Sequence, residues 1–150
     1  MLEAVERISP DEIDDLTKAQ TVTLNFDIRQ KSRFKNQTDE GNDVGFFLAR
    51  GQVLRHGDLI QTRCGEIIRV VSAEEPVVSA SCDDPHLFAR ACYHLGNRHV
   101  PLQIGQQWLR IQPDHVLEEM LTQLGLTTEL TKAPFEPESG AYQGHNHHHH

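Results

Sequence analysis

Asp83-Asp84-Pro85-His86-Leu87-Phe88-Ala89-Arg90-Ala91-Cys92-Tyr93-His94-Leu95-Gly96 carries the marks of one complete helix. An aspartate ahead of a proline is a favoured start: its carboxylate accepts from amides that have no partner in the first turn, and proline brings no amide to be orphaned there. Leu87, Phe88, Ala91, Cys92 and Leu95 recur at helical spacing and form one apolar stripe. Gly96 is the predicted stop, since glycine enters the left-handed conformation that ends a helix. Outward from this helix, residues 77–81 read as a preceding strand, and residues 100–104 and 108–111 as two following strands joined by Gly105-Gln106-Gln107. Pro113-Asp114 opens a second helix with Val116, Leu117, Met120, Leu121 and Leu124 on one face, ended by Gly125, and residues 127–132 make a last strand. The order is β-α-β-β-α-β, the ferredoxin-like arrangement. That arrangement hosts many activities, so it fixes no function.

The upstream half follows a different period. Val22, Leu24, Phe26 and Ile28 alternate with polar residues and predict a half-buried strand. Residues 36–43 are polar and turn-rich, residues 44–48 read as a second strand, His56-Gly57-Asp58 is a turn before Leu59-Ile60, and Ile67, Ile68, Val70 and Val71 mark a β-branched strand. The one short helical signal is Ser9 as a cap with Pro10 behind it. Glu74-Glu75-Pro76 reads as a hinge. The expected class is therefore α+β: a small all-β domain over 1–74, a ferredoxin-like domain over 75–138, and a tail over 139–150.

The formal net charge of −8 argues against a general affinity for nucleic acid or an anionic membrane, which require clustered lysine and arginine. No apolar run approaches the length that spans a bilayer, and the first residues, Met1-Leu2-Glu3-Ala4-Val5-Glu6-Arg7, have no signal-peptide apolar core, so a cytoplasmic location is expected. Cys64, Cys82 and Cys92 are odd in number and contain no C-x-x-C pair, which predicts reduced, mostly buried thiols. Histidine is the outlier. Of ten, five fall in the last six residues: His145, His147, His148, His149 and His150. A purification tag is the simplest reading of such a run. The interruption by Asn146 and the preceding Ser139-Gly140-Ala141-Tyr142-Gln143-Gly144 favour instead a native metal-binding tail, predicted to be disordered without metal.

The chemistry-bearing stretch is Tyr93-His94-Leu95-Gly96-Asn97-Arg98-His99-Val100-Pro101-Leu102-Gln103. It passes from helix to strand and presents Asn97, Arg98 and His99 at the junction, where functional residues concentrate. By position alone a single histidine there is more often structural than a ligand. Together with Asp114-His115-Val116-Leu117, Phe135-Glu136-Pro137-Glu138, Gly140-Ala141-Tyr142 and the histidine-rich end, this stretch resembles the UreE family of urease accessory proteins. The resemblance implies an N-terminal domain likened to a peptide-binding module and a ferredoxin-like metal-binding domain. It also implies a homodimeric nickel chaperone, not an enzyme, working with a urease accessory GTPase (UreG) and the apo-urease–accessory protein complex.

The same resemblance makes His99 the central ligand, paired across a dimer, with the tail histidines adding donors. Imidazole suits Ni²⁺ but also Zn²⁺ and Cu²⁺, so ligand type does not select the metal. His115 is a weaker candidate. Some relatives carry a further histidine two positions earlier, where this chain has Pro113, and a helix start is a poor place for a cation. His56, His86 and His94 read as ordinary residues. Two other classes compete: an acylphosphatase-like enzyme, disfavoured because no phosphate cradle or paired nucleophile and base is visible, and a general divalent-metal buffer or peptide-binding co-chaperone without a urease link.

Overall fold

The computed structural model describes residues 1–13 and 18–139. The chain forms two compact units, the first over Met1–Glu74 and the second from Glu75 onward, and the class is α+β.

The first unit is a barrel-like sheet. Its strands are β1 (Leu2–Ile8), β2 (Gln20–Leu24), β3 (Arg33–Gln37), β4 (Asp43–Phe47), β5 (Leu59–Thr62) and β6 (Ile67–Ser72). Their spatial order is β2-β6-β5-β1-β4-β3, with β1/β4 and β2/β6 parallel. Alternate residues of β6 (Ile68, Val70 and Ser72) are buried, and Ala4, Val22, Leu24, Val44, Phe46, Leu54 and Ile60 complete the interior. The strand predicted to continue through Phe26 and Ile28 stops at Leu24. Asn25 instead caps a four-residue helix, α1 (Phe26–Arg29), its Oδ1 accepting from the Ile28 amide at 3.0 Å. The alternation was real, but a side-chain acceptor at the strand end offered the backbone a turn. Arg29 is fully buried there. It donates to the carbonyls of Leu24 and Leu54, at 3.2 and 3.1 Å, and sits over the Phe26 ring. The predicted loop over 36–43 is shorter than expected, because its ends pair as Asn36↔Val44 and Gln37↔Asp43. From that loop Asp39 accepts hydrogen bonds from Thr21 and Thr23 of β2.

The second unit is a four-stranded sheet with two helices. Its elements are β7 (Glu74–Ser81), α2 (Pro85–Asn97), β8 (Gln103–Ile104), β9 (Trp108–Ile111), α3 (His115–Leu124) and β10 (Thr127–Pro134), with strand order β10-β7-β9-β8. Glu74-Glu75-Pro76, read as a hinge, is extended and opens β7. Both aspartate caps form: Asp84 accepts from His86 and Leu87, and Asp114 from Val116 and Leu117. Val78, Ala80, Leu109 and Ile111 of the sheet pack with Ala91, Leu95, Leu117 and Leu121 of the helices. The strand predicted over 100–104 is only two residues long; Pro101, just ahead of it, has no amide to offer a ladder. The sole tryptophan, Trp108, lies against Gly105, where a Cβ would collide with the indole, and the Arg110 guanidinium sits 4.8 Å from its centre.

Gly125 ends α3 with φ +109°, and a Cβ there would come 3.1 Å from Leu87 Cδ2. Gly125→Ala combines left-handed strain with a tight contact between the helices. It is expected to destabilise the second unit by about 1–2 kcal/mol, read as a lower midpoint in denaturant at unchanged slope.

Candidate metal centre

Helix α2 does not end at Gly96 as predicted. It continues through Asn97, Arg98 takes the cap position, and the left-handed residue that normally follows is His99, at φ 59°. The Arg98 amide donates to Leu95 O at 3.1 Å and the His99 amide to Gly96 O at 3.0 Å, so these two carbonyls near the helix end are satisfied. His99 and Gln107 are the two non-glycine residues with positive φ among the described residues. Such a conformation costs about 1–2 kcal/mol for a residue with a Cβ, and a glycine would remove that cost. Histidine therefore occupies a glycine position and projects an exposed imidazole just past the end of a rigid helix.

The surroundings of His99 are also exposed. Gly96, Asn97 and Arg98 lie at the surface, and Tyr93, one turn earlier, is 68% exposed. Tyr93 and Gly96 are three apart and Tyr93 and Asn97 four apart, so they share a helix face. The Tyr93 ring meets His94 edge-on, their centres 5.4 Å apart. Sequence reasoning passed over Tyr93, although its place off the apolar stripe of α2 was the signal that it would be uncovered.

Residues 135–138 run alongside the strand that follows His99. Phe135 is fully buried and Pro137 is buried. The Glu136 amide donates to Gln103 Oε1 at 3.0 Å and the Glu138 amide to Leu102 O at 2.8 Å. The chain leaving β10 is thus fastened alongside residues 102 and 103, three and four positions after His99. His145, His147, His148, His149 and His150 lie outside the described residues.

A profile described as "UreE urease accessory protein, N-terminal domain" matches residues 2–73, and one described as "UreE urease accessory protein, C-terminal domain" matches residues 75–150. A urease accessory protein UreE of Saccharophagus degradans is 51% identical over 144 residues, covering 96% of this chain and 86% of the relative. One from Pseudomonas putida is 53% identical, covering 91% and 84%, and one from Alkalilimnicola ehrlichii is 53% identical, covering 83% and 76%. The chain belongs to the UreE family.

The remaining donors of this UreE chain stand apart. His115 is exposed at the first position of α3, and the Asp114 carboxylate beside it is engaged by two amides. Among the described residues no group of three or more histidine, cysteine, aspartate or glutamate side chains could hold a metal ion. The thiols were expected to be mostly buried, but Cys64 is exposed and Cys82 and Cys92 are half-buried; all three are free. Burial, and secondarily the neighbouring Cys82, pushes the Cys92 thiol up, so it is a poor thiolate donor at neutral pH. His56 is committed to the fold, its Nδ1 accepting from the Ser72 amide at 3.1 Å.

Proposed function

We propose that two copies of this chain bind one Ni²⁺ between their His99 side chains and deliver it to apo-urease during assembly of the urease metallocentre. The observation that carries this reading is the exposed imidazole of His99, held in a glycine-type conformation just past a helix that leaves Tyr93 uncovered. One imidazole cannot hold a divalent ion tightly, whereas two related by a two-fold axis share it. Tyr93 and Gly96 then provide the surface on which two α2 helices meet. Membership of a family of urease accessory proteins supports the urease link. A role in assembly, not catalysis, follows, with the homodimer, the accessory GTPase UreG and the apo-urease–accessory protein complex as partners. The second unit is the metal-binding domain, ferredoxin-like in its strand order, and the site of action is the cytoplasm. Zn²⁺ and Cu²⁺ compete for the same imidazoles.

The tail histidines 145 and 147–150 complete the coordination, a reading supported by the fastening of Glu136 and Glu138 to Gln103 and Leu102, close in sequence to His99. His115 is at most a peripheral ligand. A carrier benefits from donors that can leave one at a time. Truncation after Gly144 is expected to lower the number of Ni²⁺ ions per dimer in calorimetry while the first ion still binds. Loss of all binding would place the metal on the tail alone. A general metal buffer predicts no effect of His99 substitution on urease activation in a reconstituted assembly, so activation assayed with His99 variants separates the two roles.

A further inference from the structure

The sheet of the second unit turns Val78, Ala80, Leu102, Leu109 and Ile111 to its helices. Ser79, Gln103 and Arg110 alternate with them in sequence and therefore lie on the other face. The strand register sets these three side chains in one row, Ser79↔Arg110 between β7 and β9 and Gln103↔Arg110 between β8 and β9. Neighbouring strands stand about 4.8 Å apart, which makes the row roughly 10 Å wide. All three residues are half-buried. Arg110 is held from two sides. Its Nε donates to Ser79 Oγ at 3.2 Å, and its guanidinium sits 4.8 Å from the centre of the Trp108 ring, which is itself seated on Gly105. Its two terminal nitrogens, Nη1 and Nη2, have no hydrogen-bond or ion-pair partner among the described residues.

The flanking side chains offer protons too. Ser79 Oγ accepts from Arg110, which leaves the hydroxyl proton to donate. Gln103 Oε1 accepts from the Glu136 amide at 3.0 Å, which fixes the oxygen end of that side chain and leaves its Nε2 as a donor. The row is thus made of spare donors around a fixed cation, in a chain whose net charge is −8. Charge drawn out of water is ordinarily matched by an opposite charge. We propose that Ser79, Arg110 and Gln103 form a binding site for a carboxylate, taken bidentately by the two terminal nitrogens of Arg110 and bonded at its remaining lone pairs by Ser79 and Gln103. A single formal positive charge balances a monoanion and falls short of a phosphate dianion. Stacking on Trp108 explains where the guanidinium lies, but it calls for no neutral donors in register on either side. A carboxylate of this kind comes from a small free acid or from a glutamate or aspartate of a protein chain.

The test titrates the isotope-labelled full chain and follows the indole N–H resonance of Trp108, the sole tryptophan. The probes are acetate, the blocked peptide acetyl-Ala-Glu-Ala-amide, its glutamine counterpart acetyl-Ala-Gln-Ala-amide, and inorganic phosphate. Acetate and the glutamate peptide are expected to shift the resonance saturably, and the glutamine peptide to leave it in place. Tighter binding of the glutamate peptide than of acetate assigns the site to a protein carboxylate, and equal affinity assigns it to a small free acid. Arg110→Lys keeps the charge but loses the fork, and should weaken either ligand about tenfold. Gln103→Glu can still accept from the Glu136 amide and sets a carboxylate directly across the ladder from Arg110. It should fold as the parent does and no longer bind. Nickel binding should be the same in all these proteins, which separates this row from His99. The proposal is overturned by a resonance that no carboxylate shifts saturably, by phosphate binding tighter than both carboxylates, or by parental affinity in Arg110→Lys or Gln103→Glu.

Discussion

If two His99 side chains share a nickel ion as proposed, His99→Gly is expected to lose that site and yet fold at least as stably as the parent. Two effects of the same substitution run in opposite directions. In the proposed dimer, the substitution removes both imidazoles and so the ligands themselves. Loss of a group that merely orients a ligand already weakens metal binding by about 10–100-fold, so the affinity of the first ion should fall by at least roughly 100-fold. At φ 59°, however, glycine relieves about 1 kcal/mol of backbone strain, partly offset by its greater freedom when unfolded. The denaturation midpoint should therefore stay level or rise. His99→Ala keeps the strain and should lose metal without that gain. Calorimetry with Ni²⁺ and denaturant titration of the three proteins read both quantities. Unchanged nickel affinity in both variants would remove His99 from the site.

Phe135→Ala should be the most destabilising single change near the site. Phe135 is fully buried, and truncating such a side chain typically costs about 3–5 kcal/mol through lost burial and the cavity left behind. It begins the segment that Glu136 and Glu138 fasten against residues 102 and 103. A second consequence follows: in protein that remains folded at low temperature, the tail should lose its fixed point of departure. Nickel should still reach His99, but the gain from having tail donors held nearby should shrink, because effective concentration falls as a tether lengthens. Phe135→Leu, which keeps most of the volume, should retain both stability and the tail's contribution. If Phe135→Ala melts with the parent, the segment is not packed as described.

Much of the second unit could be read from residue order. Asp84 and Asp114 announce their helices, the apolar stripes of α2 and α3 face the sheet as their spacing requires, and Gly125 ends α3. The errors arose where one local preference outweighed another. Phe26 and Ile28 continue a period of two, but Asn25 ahead of them supplies a helix cap, and four residues of helix won over four more of strand. Gly96 has the chemistry of a helix stop, yet the turn closes three residues later on a histidine, which no propensity would choose. That displacement is legible only in the backbone angles. His99 itself entered through the resemblance of its motif and not through any physical signature in the sequence. The return of residues 135–138 to the strand after His99 rests on one glutamine side chain and two main-chain amides, none of which leaves a periodic trace.

The lone indole of Trp108, seated on Gly105 under the Arg110 guanidinium, gives the second unit an optical channel of its own. The first unit contains no tryptophan. Intrinsic emission excited at the red edge of the indole band therefore follows one half of the molecule, while far-ultraviolet dichroism sums both. Any gap between the two melting curves measures how far the halves come apart as separate cooperative blocks, with no label attached.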